Sequence, residues 1–179
     1  NAFNYIQAHL CEYNGDADHI YGVADSGGAY LLTYTAAMNK CHTLAKAAHV
    51  KPHNISFRAL GLISGMFYTT RFDKIGMFLP AYLYGKNYKK QSFAKYVNPE
   101  NPELVTSLPP CYLVTSRYDN LRKYTLDFVE ALGRYGIVYE LSEYMKGRHL
   151  THAFSVFRPD FKESEETLSD MHAFFESYK

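Results

Sequence analysis

The sequence lacks a charge excess, a long apolar run and any cysteine spacing typical of a metal site. Its 19 Lys and Arg residues nearly balance 18 Asp and Glu, so the net charge of +1 gives no reason to expect a nucleic acid or an anionic membrane as partner. No apolar run approaches the ~20 residues that cross a bilayer, and no basic-then-apolar signal segment stands at the start. With 179 residues, 47% hydrophobic and 21% charged, the composition is that of one ordinary globular domain.

Cysteine is scarce and odd in number. Cys11, Cys41 and Cys111 show no metal-ligand spacing, so we expect buried, unpaired thiols in a reducing compartment, the cytoplasm. Nothing in the sequence requires a metal or another cofactor. Trp is absent and Tyr is abundant at 17, and no function is inferred from those counts.

Helical and extended patterns alternate along the chain. We expect strands at about 19–24, 57–63, 111–116 and 138–144, and helices at about 1–13, 27–47, 121–135 and 164–179. This alternation predicts an α/β fold with a parallel sheet covered by helices on both faces. Residues 65–108 are irregular and too long for a plain connection, so we expect a cap-like insertion within a single domain spanning 1–179.

Two of these helices have well-defined apolar stripes. The helix at 121–135 is expected to end at Gly136 and to bury one stripe: Leu121, Tyr124, Phe128, Leu132 and Tyr135. The last helix is expected to begin near Ser164 and to turn four residues inward: Leu168, Met171, Phe174 and Phe175.

Chemically reactive side chains follow three of the predicted strands. Ser26 follows the first in "VADSGGAY", Asp119 the third in "TSRYDNLR", and His152 the fourth in "RHLTHAF". The carboxyl ends of parallel strands meet at one crevice, so we expect these side chains to converge there. A serine hydroxyl needs a base to become nucleophilic, an imidazole can be that base near neutral pH, and a carboxylate fixes the imidazole tautomer.

The glycines after the serine fit the same interpretation. A tight turn needs unusual backbone angles, and close packing of strand and helix is expected to exclude a side chain here. The Gly27 amide, at the start of a helix, would point toward a developing oxyanion.

Each of these residues has a rival interpretation. Ser26 and Asp119 could simply cap helices, Asp127 and Asp160 compete for the role of the acid, and His149 competes for the role of the base. The strand ends favour Asp119 over the other acids, and the flanking glycines favour a nucleophile at Ser26.

Three blocks resemble the hormone-sensitive-lipase-like esterases of the α/β-hydrolase fold. "GVADSGGAY" resembles their Gly-Asp-Ser-Ala-Gly-Gly elbow, "LPPCYLVTSRYDNLR" their Leu-Pro-Pro, strand, Asp-x-Leu-Arg block, and "HLTHAF" their His-Gly-Phe block, over roughly residues 15–157. The resemblance favours His152 over His149. It implies a serine carboxylesterase or lipase acting on short acyl esters through an acyl-serine, with catalytic Ser26, Asp119 and His152, the Gly27 amide in the oxyanion hole, and no cofactor.

This sequence departs from that pattern in two places. Ala24 stands where the family usually has Gly, and the family's His-Gly-Gly-Gly segment, which supplies most of the oxyanion hole, does not occur. We therefore expect the carboxyl-terminal portion of a partial α/β-hydrolase fold, with little or no activity alone. The strand at 19–24 would then be an exposed apolar edge, which predicts a homodimer or association through that edge.

Candidate substrate contacts lie in the insertion. Phe67, Tyr68 and Tyr84 are predicted to line an acyl or alcohol pocket. The basic and aromatic stretch 82–96 could instead bind nucleic acid, but the near-zero net charge favours a cap helix. Two further functions remain open: a peptidase of the same fold, and a non-catalytic binding relative.

Overall fold

A four-stranded parallel sheet forms the centre of the computed structural model, which describes residues 2–52 and 54–179. The strands lie in chain order: β1 Ile20–Asp25, β2 Phe57–Ile63, β3 Cys111–Ser116 and β4 Tyr139–Tyr144. All three pairings are parallel, so every strand ends at the same edge of the sheet. The predicted α/β class is confirmed, and each predicted strand agrees with the observed one to within one residue at either end.

Helices connect and flank these strands. Their bounds are α1 Ala2–His9, α2 Ser26–Met38, α3 His42–Ala47, α4 Lys74–Tyr84, α5 Pro102–Val105, α6 Arg122–Arg134, α7 Phe154–Phe157 and α8 Lys162–Glu176. Short 3₁₀ turns cover Leu10–Tyr13, Tyr88–Lys90 and Ser92–Tyr96. The expected first helix also included Asn1, which lies outside the described residues.

The two faces of the sheet carry separate apolar cores. On one face Leu62 and Leu113 belong to a buried cluster with Phe128 and Leu132 of α6, which α2 also joins. On the other face Tyr112 and Val114 pack with Met171 and Phe174 of α8. Because successive side chains of a strand point to opposite faces, β2 and β3 supply both cores, and the predicted covering of both faces is confirmed.

The clearest sequence pattern forms the helix that it predicts. Four of the five stripe residues of α6 are buried and Tyr135 is half-buried. Gly136 ends the helix with a φ of +69°, as predicted. The Gly136 N–H donates to the Gly133 carbonyl and the Ile137 N–H to the Leu132 carbonyl, the bond pair of a Schellman motif.

Other helix predictions need correction. The single helix expected over 27–47 is two helices, because the chain breaks between Met38 and His42. Segment 65–108 is not irregular throughout, since it contains α4 and α5, and its stretch 82–96 is mostly 3₁₀ turn rather than helix. Leu168 does not face inward, as 46% of it is exposed.

The cysteines are all unpaired, but they differ in burial. Cys41 and Cys111 are buried as expected, whereas Cys11 is exposed and corrects that expectation. Within the described residues, no helix has both the length and the apolarity to cross a bilayer. No group of three or more His, Cys, Asp or Glu side chains in the same ranges could hold a metal ion.

Candidate active site

The serine stands at the turn from β1 into α2. β1 ends at Asp25 and α2 begins at Ser26, whose φ of +50° lies in the left-handed region that non-glycine residues rarely adopt. The Met66 N–H donates to the Ser26 carbonyl oxygen at 3.0 Å and ties the turn to the segment after β2. The turn does contain an unusual backbone angle, but it falls on the serine and not on Gly27 or Gly28, so the expectation that those glycines supply it is wrong.

The glycines after the serine have room for a methyl group. A Cβ added at Gly27 would meet Met66 Cε at 3.8 Å, and one at Gly28 would meet Ala24 Cβ at 3.5 Å, both ordinary contacts. The expectation that close packing excludes a side chain here is wrong. Gly27 instead presents a backbone N–H in the first turn of α2, where helical amides have no intrahelical partner.

Three side chains from three strand ends form one hydrogen-bonded line. His152 Nε2 lies 3.0 Å from Ser26 Oγ, and His152 Nδ1 lies 2.9 Å from Asp119 Oδ1. An ionised carboxylate can only accept, so Nδ1 carries the ring proton and Nε2 is left to accept the serine proton. The structure brings together the three residues that the strand-end argument selects, in a geometry that permits proton transfer.

The acid of this line is fixed on both oxygens. Besides the histidine, Asp119 Oδ1 accepts from the Leu121 N–H at 2.9 Å, and Oδ2 accepts from Thr115 Oγ1 at 3.0 Å. The Asp119 side chain is 0% exposed, whereas 28% of the His152 side chain is exposed. Three donors therefore compensate the burial of this carboxylate and hold it in one orientation toward the ring.

The rival residues lie elsewhere. His149 stacks edge-to-face on Phe161 and faces Glu163 at 3.6 Å. Asp127 pairs with Arg71 and Lys123, and Asp160 pairs with Arg158. Neither the alternative base nor the alternative acids take part in the line that reaches Ser26.

Two of the predicted substrate contacts are buried in the core. Phe67 is 0% exposed and stacks on Phe128 with ring centroids 4.2 Å apart. Tyr68 is 4% exposed, donates its hydroxyl to Glu100 at 2.8 Å, and carries the Arg71 guanidinium over its ring. Both rings have packing partners, and neither has the exposed surface that direct contact with a substrate requires.

Tyr84, the third predicted contact, borders a cavity. Its hydroxyl lies 2.5 Å from the Tyr30 hydroxyl and 2.6 Å from Thr69 Oγ1. Tyr30 and Tyr84 also line an apolar cavity of about 710 Å³, together with Leu31 and Tyr34. Burial raises the pKa of the Tyr30 hydroxyl, which stays neutral. Tyr30 lies one helical turn after Ser26, and the cavity extends from Tyr30 to Met38 at the other end of α2.

Several hydroxyl groups around the site were not anticipated from the sequence. Thr115 holds the acid, and Ser64 and Ser116 bond to the loop that carries His152. A sequence signal was available, because serine either ends or directly follows β1, β2 and β3. Polar residues at those strand ends lie in the predicted crevice.

Comparison with known proteins finds similarity at the level of structure. No protein-family model and no curated protein sequence matches the chain. Esterase B from Lactobacillus rhamnosis, in a structure inhibited with a tributyrin phosphonate, superposes with a TM-score of 0.86 at 21% identity, over 99% of this chain and 58% of that one. An esterase from Pyrobaculum calidifontis gives a TM-score of 0.70 at 19% identity, over 98% of this chain and 58% of that one.

A peptidase has a similar fold. Acylaminoacyl peptidase from Pyrococcus horikoshii superposes with a TM-score of 0.70 at 18% identity, over 99% of this chain and 27% of that one. Identities this low establish the fold alone. The sheet and its helices form part of an α/β-hydrolase fold, and the chain spans 58% of the esterase chains that it matches.

Proposed function

From this fold, we propose that the chain belongs to a serine hydrolase that cleaves short acyl carboxylic esters through an acyl-Ser26 intermediate. The observation that carries the proposal is the unbroken line from Ser26 Oγ through the His152 ring to Asp119 Oδ1, with distances of 3.0 and 2.9 Å. Hydroxyl, imidazole and carboxylate in this order are the groups that acyl transfer needs.

The chemistry follows from the proton positions. Ser26 Oγ attacks the ester carbonyl carbon while its proton passes to His152 Nε2, and Asp119 stabilises the imidazolium that forms. The imidazolium then gives that proton to the leaving alkoxide, and the C–O bond of the ester breaks. Water, deprotonated by the same nitrogen, releases the acid and restores the serine.

The oxyanion would be stabilised at the start of α2. The Gly27 N–H lies in the first turn of that helix, next to the attacking oxygen and at the positive end of the helix dipole. Removing one oxyanion donor from a hydrolase costs about 10²–10³ in rate. Because the resemblance implies further donors from a segment that this sequence does not contain, we expect slow turnover by the 179-residue chain.

Residues 65–108 would act as the cap of this single domain. The N-terminal end of α4 is anchored where the Tyr124 hydroxyl donates to Asp73, and its C-terminal end where Tyr84 meets Tyr30 and Thr69. The cavity lined by Tyr30 and Tyr84 is the candidate acyl pocket. Anchors at both ends hold the helix beside that cavity.

Covalent labelling tests the reaction without requiring turnover. A fluorophosphonate should phosphonylate the unaltered chain at Ser26, and Ser26→Ala should abolish the adduct. Asp119→Asn should slow labelling by about 10³–10⁴-fold, because an amide does not fix the tautomer of the His152 ring. Asp127→Asn is the matched control, since that acid pairs with Arg71 away from the line, and its labelling rate should not change. Absence of an adduct after prolonged exposure would contradict the hydrolase and favour a binding relative.

A peptidase is the second candidate, favoured by the similarity to acylaminoacyl peptidase. The same acyl-serine chemistry cleaves amides when the leaving nitrogen is protonated by the base. Matched ester and peptide-amide substrates with one acyl group would separate the two. An acylation rate that is high with the ester and low with the amide supports the esterase. Similar acylation rates with the two substrates favour the peptidase.

We also propose that two copies of the chain associate through the free edge of β1. In the described residues β1 has a strand neighbour on one side only, and Val23 is 53% exposed. Ile6 and Leu31 join Val23 in lining an apolar groove of about 430 Å³ beside this edge. The opposite edge strand, β4, carries Glu140 and Glu143, and charged side chains disfavour edge pairing.

A further inference from the structure

The loop that carries His152 is bonded to a buried hydroxyl on each side of the histidine. Ser116 Oγ donates to the Leu150 carbonyl oxygen at 2.5 Å, and the Ala153 N–H donates to Ser64 Oγ at 3.0 Å. Residues 150–153 belong to no helix or strand, so their backbone has no regular hydrogen-bond ladder to fix it. Besides turn bonds such as that from the Thr151 N–H to the His149 carbonyl, the two serine bonds tie the loop to the sheet two residues before His152 and directly after it.

Both hydroxyls come from the rigid centre of the sheet. Ser64 directly follows β2 and is 1% exposed, and Ser116 is the last residue of β3 and is 0% exposed. The Ser64 N–H donates to the Val114 carbonyl at 2.9 Å, which joins this serine to β3 as well. At such burial no bulk water competes for these bonds, so their geometry is well defined.

The backbone at one of the bonds is held in an unfavourable conformation. Ser64 and Ala153, the two residues joined by the second bond, both have a φ of +49°. Non-glycine residues keep left-handed angles only where the surrounding structure determines them. The left-handed turn at Ala153 comes directly after His152 and sets the direction in which the loop leaves the site.

We propose that Ser64 and Ser116 are positioning residues. They hold the imidazole of His152 where it can bond to Asp119 and Ser26 at the same time. The ring must meet Asp119 through Nδ1 and Ser26 through Nε2 at once, and the acid bond alone lets it pivot. Catalytic groups need placement within about 0.5 Å of the productive geometry, and a displacement of about 1 Å can cost 100-fold in rate. This inference rests on the proposed function, in which His152 is the base.

The alternative is that the two serines merely satisfy buried backbone groups. They would then contribute to stability and not to the ring. Ser155 gives a matched control, because it is a buried serine in α7, two residues after Ala153, whose hydroxyl has no hydrogen-bond partner among the described residues. Removing the Ser155 hydroxyl deletes the same atom from the same region without touching the loop.

The experiment measures labelling and ring geometry in parallel. Ser64→Ala and Ser116→Ala should each lower the second-order rate of fluorophosphonate labelling by about 10- to 100-fold, with Ser155→Ala unchanged. Ser116→Thr keeps the hydroxyl and should restore the rate. Ser64→Gly removes the hydroxyl but tolerates the positive φ, so it replaces Ser64→Ala if that variant fails to fold.

The decisive readout is the low-field NMR resonance of the His152 Nδ1 proton, assigned by its loss in His152→Gln. We expect this resonance in the unaltered chain and in Ser155→Ala, and its loss or broadening in Ser64→Gly and Ser116→Ala. A resonance retained unchanged in both serine variants, or missing from the unaltered chain, overturns the proposal. If the unaltered chain does not label, the proposed function fails, and the resonance still decides whether the serines hold the ring.

Discussion

At the residue scale, burial separates the chemistry of the three cysteines. Cys11 is exposed, whereas Cys41 and Cys111 are buried. Burial raises the pKa of the Cys111 thiol to about 12, so at neutral pH it is neither ionised nor accessible. We predict that one thiol of the folded protein reacts promptly with Ellman's reagent and that three react after unfolding. Cys11→Ser should abolish the prompt reaction, and prompt reaction of a second thiol would contradict the described burial.

The same thiol makes stability depend on alkaline pH. An unfolded cysteine titrates near pH 8.5, well below the folded value of Cys111, so only the unfolded chain gains from ionisation above about pH 8.5. The contribution of the Cys111 thiol to the free energy of unfolding is therefore complete below about pH 8.5. It declines between that pH and about pH 12, by about 1.4 kcal/mol per pH unit. Denaturant unfolding at several pH values should show this decline, and Cys111→Ala should make it shallower. Equal slopes for both proteins would contradict the prediction.

The same scale shows which site residues sequence reasoning can find. Ser26, Asp119 and His152 follow strands, so chain order and strand ends indicate them, and the resemblance to the esterases decides between His152 and His149. The structure brings the three together. Their positions at strand ends indicate that Ser64 and Ser116 lie in the crevice, but the partner of each hydroxyl depends on which loop packs against it. That information is tertiary, and no spacing along the chain carries it.

At the element scale, α6 offers a matched pair of glycines. Gly133 lies inside the helix, and a Cβ there would meet only the Tyr139 ring at 3.4 Å, an ordinary contact. Gly136 ends the helix with a φ of +69°. We predict that Gly133→Ala raises the free energy of unfolding by about 0.5–1 kcal/mol and that Gly136→Ala lowers it by about 1 kcal/mol. Chemical denaturation measures both, and a loss of stability in Gly133→Ala would show that the Tyr139 ring does not accommodate the added methyl group.

Helices were predictable where apolar periodicity and an end signal coincide. α6 has both, and its stripe and its end agree with the sequence prediction. α4 has end signals but no apolar stripe. Asp73 Oδ1 accepts from the Gly76 N–H at its start, and Gly85 follows its last residue with a φ of +82°. Pro80 lies inside it and its exposed side carries Met77, Phe78 and Tyr82, so apolar residues mark no single face. The break before α3 also lacks a Gly or Pro to announce it.

The last helix shows the opposite error. Leu168 is exposed although the stripe predicted it inward, while Ser164 and Thr167 are 0% exposed. Ser164 Oγ donates to the Arg158 carbonyl, and Thr167 Oγ1 donates to the Tyr144 hydroxyl. Hydroxyl groups satisfied in this way can take core positions of a helix, and a search for apolar periodicity does not register them.

At the scale of the whole molecule, the two edges of the sheet differ in their protection. β4 presents Glu140 and Glu143, and Glu143 pairs with Arg122. β1 presents "IYGVA" with Val23 half-exposed, and no charged side chain precedes its last residue. Unpaired backbone groups next to apolar side chains favour strand pairing, whereas charge opposes it. The edge of β1 is therefore where a second copy would add.

Self-association through this edge makes a specific prediction. Light scattering over a range of protein concentrations should show the mass rising from monomer to dimer. Val23→Lys should move this transition to a concentration higher by at least about tenfold, because a lysine at the edge must lose its hydration when the strands pair. Leu168→Lys is the control, since it places the same charge on the exposed side of α8, away from the edge. A constant monomer mass, or an equal effect of both lysines, would show that β1 does not pair.

The same association should affect the labelling of the serine. In the dimer Val23 would be buried three residues before Ser26, so the labelling rate should depend on protein concentration in the unaltered chain and not in Val23→Lys.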